Sequence, residues 1–328
     1  MKGRPGDLNR LILPVSAVTV PLDKNHYVVN FQGTDYVASD YISRDTYAGM
    51  LFGLSTVHAV VSDPRLRDDA REQIEMLVDY LLANNWTWRT RDGSYGERWQ
   101  GVIEQQYAWM LVAARVNPAK YAALKEKYEG LADLLWLRSW VAVMDPYYSY
   151  DRIPSLLLSL HIVLRHETDP IRWQRAYQGV AIARRFIGHH QNAHFNSVYL
   201  AADPASRDRL GAENQNVLTR LLRQPRRKIR VDISGDPTIQ HMVYTPFVDP
   251  ALAFLAPTPA APVVIATYPI PVEKRVSSGF AWSVPPSRLR QDDAAGPDPF
   301  VEGASIDFLL PYWMSRYYGA IPAPRPSP

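Results

Sequence analysis

The stretch "LFGLSTVHAVVSDPRLRDDAREQIEMLVDYLL", Leu51 to Leu82, decides how the rest of the chain is read. An apolar run, uncharged apart from His58, ends at Asp63-Pro64, and a charged amphipathic run follows. Asp63 can accept from the free N–H groups that open a helix. Pro64 suits the first helical position, where no N–H is needed, and it disfavours helical geometry in the residue before it. The stretch is therefore a helix, a tight turn and an antiparallel helix.

The same unit recurs in Tyr107–Leu137, Leu156–Ile187 and Phe195–Leu222, turning at Asn117-Pro118, Asp169-Pro170 and Asp203-Pro204. Successive turn prolines lie 54, 52 and 34 positions apart. The helices before the turns are apolar almost all round, as helices buried on every side are. Those after the turns have one charged face. Apolar helices inside and amphipathic helices outside describe a mainly α protein, an α/α toroid of helical hairpins; an open α-solenoid would have more similar helices. A closing inner helix is expected at Glu302–Gly319. One domain follows, with an irregular segment over 1–40, hairpins over 41–224, a proline-rich, partly β extended insert over 225–299, and the closing helix over 300–320. "PVVIATY" in that insert reads as strand.

Composition excludes several classes. Thirty-six basic residues against 33 acidic ones give a net charge of +3, which advertises no nucleic-acid partner. "RRKIR", Arg226 to Arg230, reads as one solvated basic loop. The chain has no cysteine, which removes disulfides, thiolate metal sites and cysteine nucleophiles. Polar residues and Pro14 break the apolar stretch near the amino terminus, which argues against a signal peptide. No segment offers the roughly 20 apolar residues of a membrane span. The balance leans slightly to the cytoplasm, with a periplasmic or secreted location as the alternative, and leaves the oligomeric state open. No cofactor and no metal are expected. His190 and His194, four apart and expected on one helix face, lack a settled third ligand.

Antiparallel hairpins place all the Asx-Pro turns at one end and all the connections between hairpins at the other. The connections are the polar, aromatic ones: Gly33–Tyr47, Arg89–Tyr107, Met144–Ser155, Gly188–Ser197 and Asp298–Phe308. Convergent polar and aromatic groups over an apolar ring suit a binding site. The layout resembles the six-hairpin glycosidase-like superfamily of α/α toroids, on the hairpins of Ser43–Leu222 and the closing helix. Four complete hairpins and one helix are counted, and no catalytic motif of that superfamily is present. The resemblance implies a small-molecule or oligosaccharide substrate.

A glycoside hydrolase needs two carboxyls flanking the scissile bond. Asp45 and Asp151 each neighbour an arginine, in "SRDTY" and "YDRIP", which suits an ionised base or nucleophile. Glu302, among apolar neighbours in "PFVEGAS", suits the protonated acid. Substrate contacts are expected from Arg44, Tyr47, Glu97, Trp99, Glu104, Tyr147, Tyr148, Tyr150, Arg152, His190, His194, Asn196 and Asp307. Asp45 and Asp307 also favour the positive end of a helix. The alternatives are a polysaccharide lyase using Tyr or His with Arg or Asn, an isoprenoid cyclase-type toroid, and a non-catalytic carbohydrate-binding or scaffold protein.

Overall fold

The computed structural model describes residues 11–18, 22, 26–39, 42–90, 93, 95–144, 150, 152–222, 227–228, 232–245, 262–275, 285–290, 300–301 and 306–322. These are mainly helical, with eleven α-helices and four small antiparallel sheets among them. Two compact units emerge: Met1–Leu135 with Leu158–Ala176, and Trp136–Leu157 with Tyr177–Pro328.

The first unit opens with strands β1 (Leu11–Pro14), β2 (His26–Phe31) and β3 (Thr34–Ser39), with β3 central. Gln32 and Gly33 both take positive φ, 52° and 81°, which is the geometry a two-residue hairpin turn demands. Helix α1 (Arg44–Val60) then turns into α2 (Pro64–Ala83), and Asp63 Oδ1 accepts from Arg65 N at 2.9 Å. Strands β4 (Thr87–Arg89) and β5 (Tyr95–Arg98) form a hairpin that leads to α3 (Ile103–Val116) and α4 (Pro118–Glu126). Asn117 caps α4 by accepting from Lys120 N at 3.2 Å. Short α5 (Glu129–Ala132) follows.

Helices α6 (Leu135–Met144), α7 (Ile153–His166) and α8 (Pro170–Ile187) each contain a point where the chain passes from one unit to the other. Asp169 caps α8, its Oδ1 accepting from Ile171 N and Arg172 N at 3.0 and 2.9 Å. Three of the four Asx-Pro turns are thus built as the sequence indicates. The fourth differs. After α9 (Ala193–Ala202) a 3-10 turn, Pro204–Ser206, precedes α10 (Arg207–Leu221), and Asp203 Oδ2 accepts from Ser206 Oγ at 2.6 Å.

In the second unit α9 packs against α10 and against α11 (Ile306–Tyr317), burying Ala193, Val217, Leu218, Val272 and Ile321 together. Strands β7 (His241–Tyr244) and β8 (Val263–Ala266) pair within the proline-rich segment, and β6 (Arg227–Lys228) pairs with β9 (Phe300–Val301) at its margins.

The helices before and after the Asx-Pro turns differ in burial, but unevenly. Every residue of α3 from Glu104 to Ala113 is buried, whereas α2 buries positions three and four apart, such as Ala70, Ile74, Leu77, Val78 and Leu81. Helix α1, read as buried all round, buries only Tyr47, Ala48, Leu51 and Ser55, and Val60 is 48% exposed. The helix after the Asn117-Pro118 turn is also shorter than the sequence suggests, ending at Glu126, with α5 and α6 after it. No helix of the described residues is long and apolar enough to cross a membrane.

Candidate functional site

Arg44 and Asp45 open α1. Arg44 Nε reaches Glu97 Oε2 of β5 at 3.2 Å, so its ionic partner lies across the connection. Asp45 stands exposed in the first turn, where the helix's positive end favours a carboxylate. One turn in, Tyr47 is fully buried and meets Trp99, Trp88 and Trp109 edge-on, with ring centres 4.8, 5.8 and 6.0 Å away. Trp99 lies just before α3 and Trp109 in its second turn. These contacts therefore bring the starts of α1 and α3 to the same end of the first unit.

The β4–β5 hairpin holds this arrangement in place. Asn85 and Trp86 adopt left-handed φ of 48° and 55°, turning the chain sharply out of α2. Such a backbone costs about 1–3 kcal/mol per residue. It is offset by Gln100, whose side chain donates to Asn85 O and, at 2.8 Å, to Thr87 Oγ1, and by Trp86 Nε1, which donates to Tyr128 Oη at 2.7 Å. Gly96 leaves room for the Trp88 ring; a Cβ there would stand 2.7 Å from Trp88 Cδ1. Trp99 Nε1 donates to Gln105 Oε1 at 2.6 Å and so orients the first turn of α3. That turn carries Glu104, which is only 4% exposed. At this end of the unit Arg44 and Asp45 are exposed and Glu97 half-buried, whereas Glu104, Gln105 and the Trp88, Trp99 and Trp109 indoles are buried.

The other candidate cluster belongs to the second unit. "GHHQNAHFN" forms a 3-10 turn, Gly188–His190, then Gln191 at φ 51°, then Asn192, which caps α9 by accepting from His194 N at 3.1 Å and Phe195 N at 3.3 Å. His190 and His194 accordingly do not share a helix, because the left-handed Gln191 separates them. Tyr150 lies 5.7 Å from the His190 ring, and Asn192 Nδ2 donates to its hydroxyl at 3.4 Å. Burial holds the His190 and His194 imidazoles down at about 3, so both are neutral at physiological pH. Burial also pushes the Tyr150 phenol up to about 12. Asn196 is engaged in packing: it accepts from Arg184 and donates to Asn214 at 2.9 Å.

Arg152 is exposed ahead of α7, and Asp307 is half-buried in the first turn of α11. Tyr147, Tyr148, Asp151 and Glu302 lie outside the described residues. Of the expected residues, the structure brings together Arg44, Tyr47, Glu97, Trp99 and Glu104 in the first unit. It brings together Tyr150, His190 and His194 in the second. Among the described residues no group of three or more His, Asp or Glu is placed to hold a metal ion.

The sequence pattern does not single out a heavily bonded carboxylate of the first unit, Glu167. Its side chain is 1% exposed and accepts from Tyr107 Oη, from Thr168 N and Asp169 N at 2.9 and 2.8 Å, and from Arg172 Nε at 3.3 Å. The available signal is a Glu two residues before the Asp169-Pro170 turn, directly after the Arg165-His166 end of α7. Comparison with known family models, curated proteins and solved structures finds no match to this chain.

Proposed function

We propose that the hairpins belong to an α/α toroid and that the chain is a carbohydrate-active enzyme, hydrolysing a glycosidic bond by acid/base chemistry where α1 and α3 begin. The observation that supports this reading is that two first-turn carboxyls, Asp45 on α1 and Glu104 on α3, sit at helix starts that Tyr47 and Trp99 draw to one end. The Arg44–Glu97 ion pair at 3.2 Å and the Tyr47–Trp99 contact at 4.8 Å fix those starts. One carboxyl faces solvent and the other is shielded from it, and hydrolysis needs two such groups on either side of the bond. Tyr47 and Trp99 then act from beneath, holding the face in shape. Asp151 and Glu302 remain candidate partners in the same chemistry.

The lyase reading would use Tyr150 as base with His190 and Asn192 beside it. Burial drives that phenol to about 12, away from the phenolate a base requires at neutral pH, which places the lyase second. For a cyclase, the acidic pair Asp68-Asp69 would have to generate a cation in an apolar cavity. Asp68 instead meets Arg71 at 3.3 Å on the exposed side of α2.

The test is to incubate the purified chain with a panel of oligosaccharides, neutral and uronate-containing. The expected outcome is release of new reducing ends without ultraviolet absorbance. An unsaturated, ultraviolet-absorbing product would transfer the assignment to the lyase. Binding without turnover across the panel would leave a carbohydrate-binding protein.

A further inference from the structure

The opposite end of the first unit, where the Asx-Pro turns lie, carries a second concentration of chemistry. Helix α1 spans 17 residues, about 25 Å at 1.5 Å per residue, so this end is far from Asp45. Here the last turn of α1 brings His58, the start of α2 brings Arg67 and Arg71, the end of α3 brings Arg115, and the end of α7 brings Arg165 and His166. Specific bonds tie these helix ends together. Arg165 Nη1 donates to Thr56 Oγ1 at 3.2 Å, tying α7 to the last turn of α1. Glu75 receives Asn117 Nδ2 at 3.2 Å and lies 3.9 Å from Arg71 Nε, which ties α2 to the turn two residues after Arg115.

Arg71 is neutralised locally by Asp68 at 3.3 Å and by Glu75. Among the described residues, no ion pair joins Arg67, Arg115 or His166 to an acid, and of the acids only Asp68 acts on His58, at a distance. His166 is the most telling, since it is 7% exposed and neither ring nitrogen has a hydrogen-bond partner. Buried imidazole nitrogens are ordinarily satisfied, and one left open beside unpaired cations marks a place for an acceptor-rich group.

We propose that this end of the first unit binds a small oxyanion, a phosphate, sulfate or carboxylate group, held by Arg67 and Arg115 with His166 donating from beneath. The basic side chains also complement the carbonyl ends of α1, α3 and α7. That role asks each residue only to sit at its own helix end. It does not ask for cations from two hairpins and α7 to converge, nor for a buried imidazole with both nitrogens open. Mutual repulsion is visible in the histidines. Burial, Arg165, Arg115 and His58 hold His166 down at about 4, and burial together with Arg67, Arg115 and Arg71, opposed by Asp68, lowers His58. A bound anion would reverse that repulsion.

The experiment is calorimetric titration of the full chain with inorganic phosphate, sulfate and acetate at low ionic strength, with chloride as the control. Saturable binding of phosphate or sulfate is expected, at least tenfold weaker in Arg67→Gln/Arg115→Gln and unchanged in Arg65→Gln, an exposed neighbour on α2. Saturation by acetate alone would restrict the site to carboxylates. His166→Phe should weaken binding while leaving its steep salt dependence. Arg67 and Arg115 are both exposed, so the double variant spares the core, and the thermal midpoint checks this. If that midpoint falls, the two single Gln variants replace it. Absence of saturable binding, or equal loss in Arg65→Gln, would overturn the proposal.

Discussion

Two buried polar knots, one in each unit, do the same mechanical job with different chemistry. In the first unit the knot is charged. Glu167 joins α7 to α3 through Tyr107 and to α8 through Arg172, and Arg172 also reaches Glu129 at 3.2 Å. In the second unit it is neutral. Asn214 on α10 donates to Ser197 Oγ of α9 at 3.1 Å and to Ser315 Oγ of α11 at 2.9 Å, and it accepts from Asn196. Asn214, Ser197 and Ser315 are fully buried, and their hydroxyl and amide groups satisfy one another, while the Arg184 cation reaches the knot's edge at Asn196 and keeps partial access to solvent. The charged knot lies beside a turn, where Arg172 keeps partial access to solvent. A net of neutral groups is tolerable deep among helices, whereas a net of ions survives only where water still helps, because desolvating an ion costs several kcal/mol.

The comparison can be broken most forcefully at Asn214. Asn214→Ala strands Asn196, Ser197 and Ser315 in a dry interior and should cost about 3 kcal/mol by denaturant titration, equally at pH 7 and pH 4. Gly211→Ala probes the same interface by shape, since a Cβ there would meet Ala320 O at 2.0 Å and backbone must move. A loss of about 2 kcal/mol is expected.

Glu167→Gln should cost about 2 kcal/mol at pH 7, and unlike Asn214→Ala its cost should depend on pH. Burial pushes the Glu167 carboxyl up, but the Tyr107 hydroxyl, the Asp169 amide and the charges of Arg172 and Lys125 bring it below the ordinary value. Its contribution is therefore present above the unfolded-state value of 4.5 and lost as pH falls through the lower folded value. The gap between wild type and Glu167→Gln should shrink on acidification below that value. A gap that holds constant would mean the carboxylate's charge is irrelevant. The smallest effect is expected at the half-exposed Arg44–Glu97 pair, where Arg44→Ala should cost less than about 1 kcal/mol of stability.

Much of the fold was legible because it rests on local rules. Asp63, Asn117 and Asp169 cap as an Asx before proline should, and "PVVIATY" contains β8. What escaped depends on contacts between distant segments. The β4–β5 hairpin, with only three and four residues, was read as loop despite its Asp-Gly turn signal. One-sided burial of α1 is a tertiary outcome that its composition hides. Glu104 carries an expected binding role, but its burial, 4% exposed, is a tertiary outcome that its first-turn position does not reveal. The His190–His194 spacing suggested one helix face, and a single left-handed residue, Gln191, undid it. Arg44 and Asp45 read as neighbours in sequence, whereas in space Arg44 belongs with Glu97.

The proposed chemistry stands or falls on Glu104. Turnover of a cleaved oligosaccharide by Glu104→Gln should fall at least about a hundredfold with the thermal midpoint preserved, as removal of an acid/base group does, while Glu97→Gln retains most activity. Equal rates in wild type and a folded Glu104→Gln would contradict an acid/base site at the start of α3.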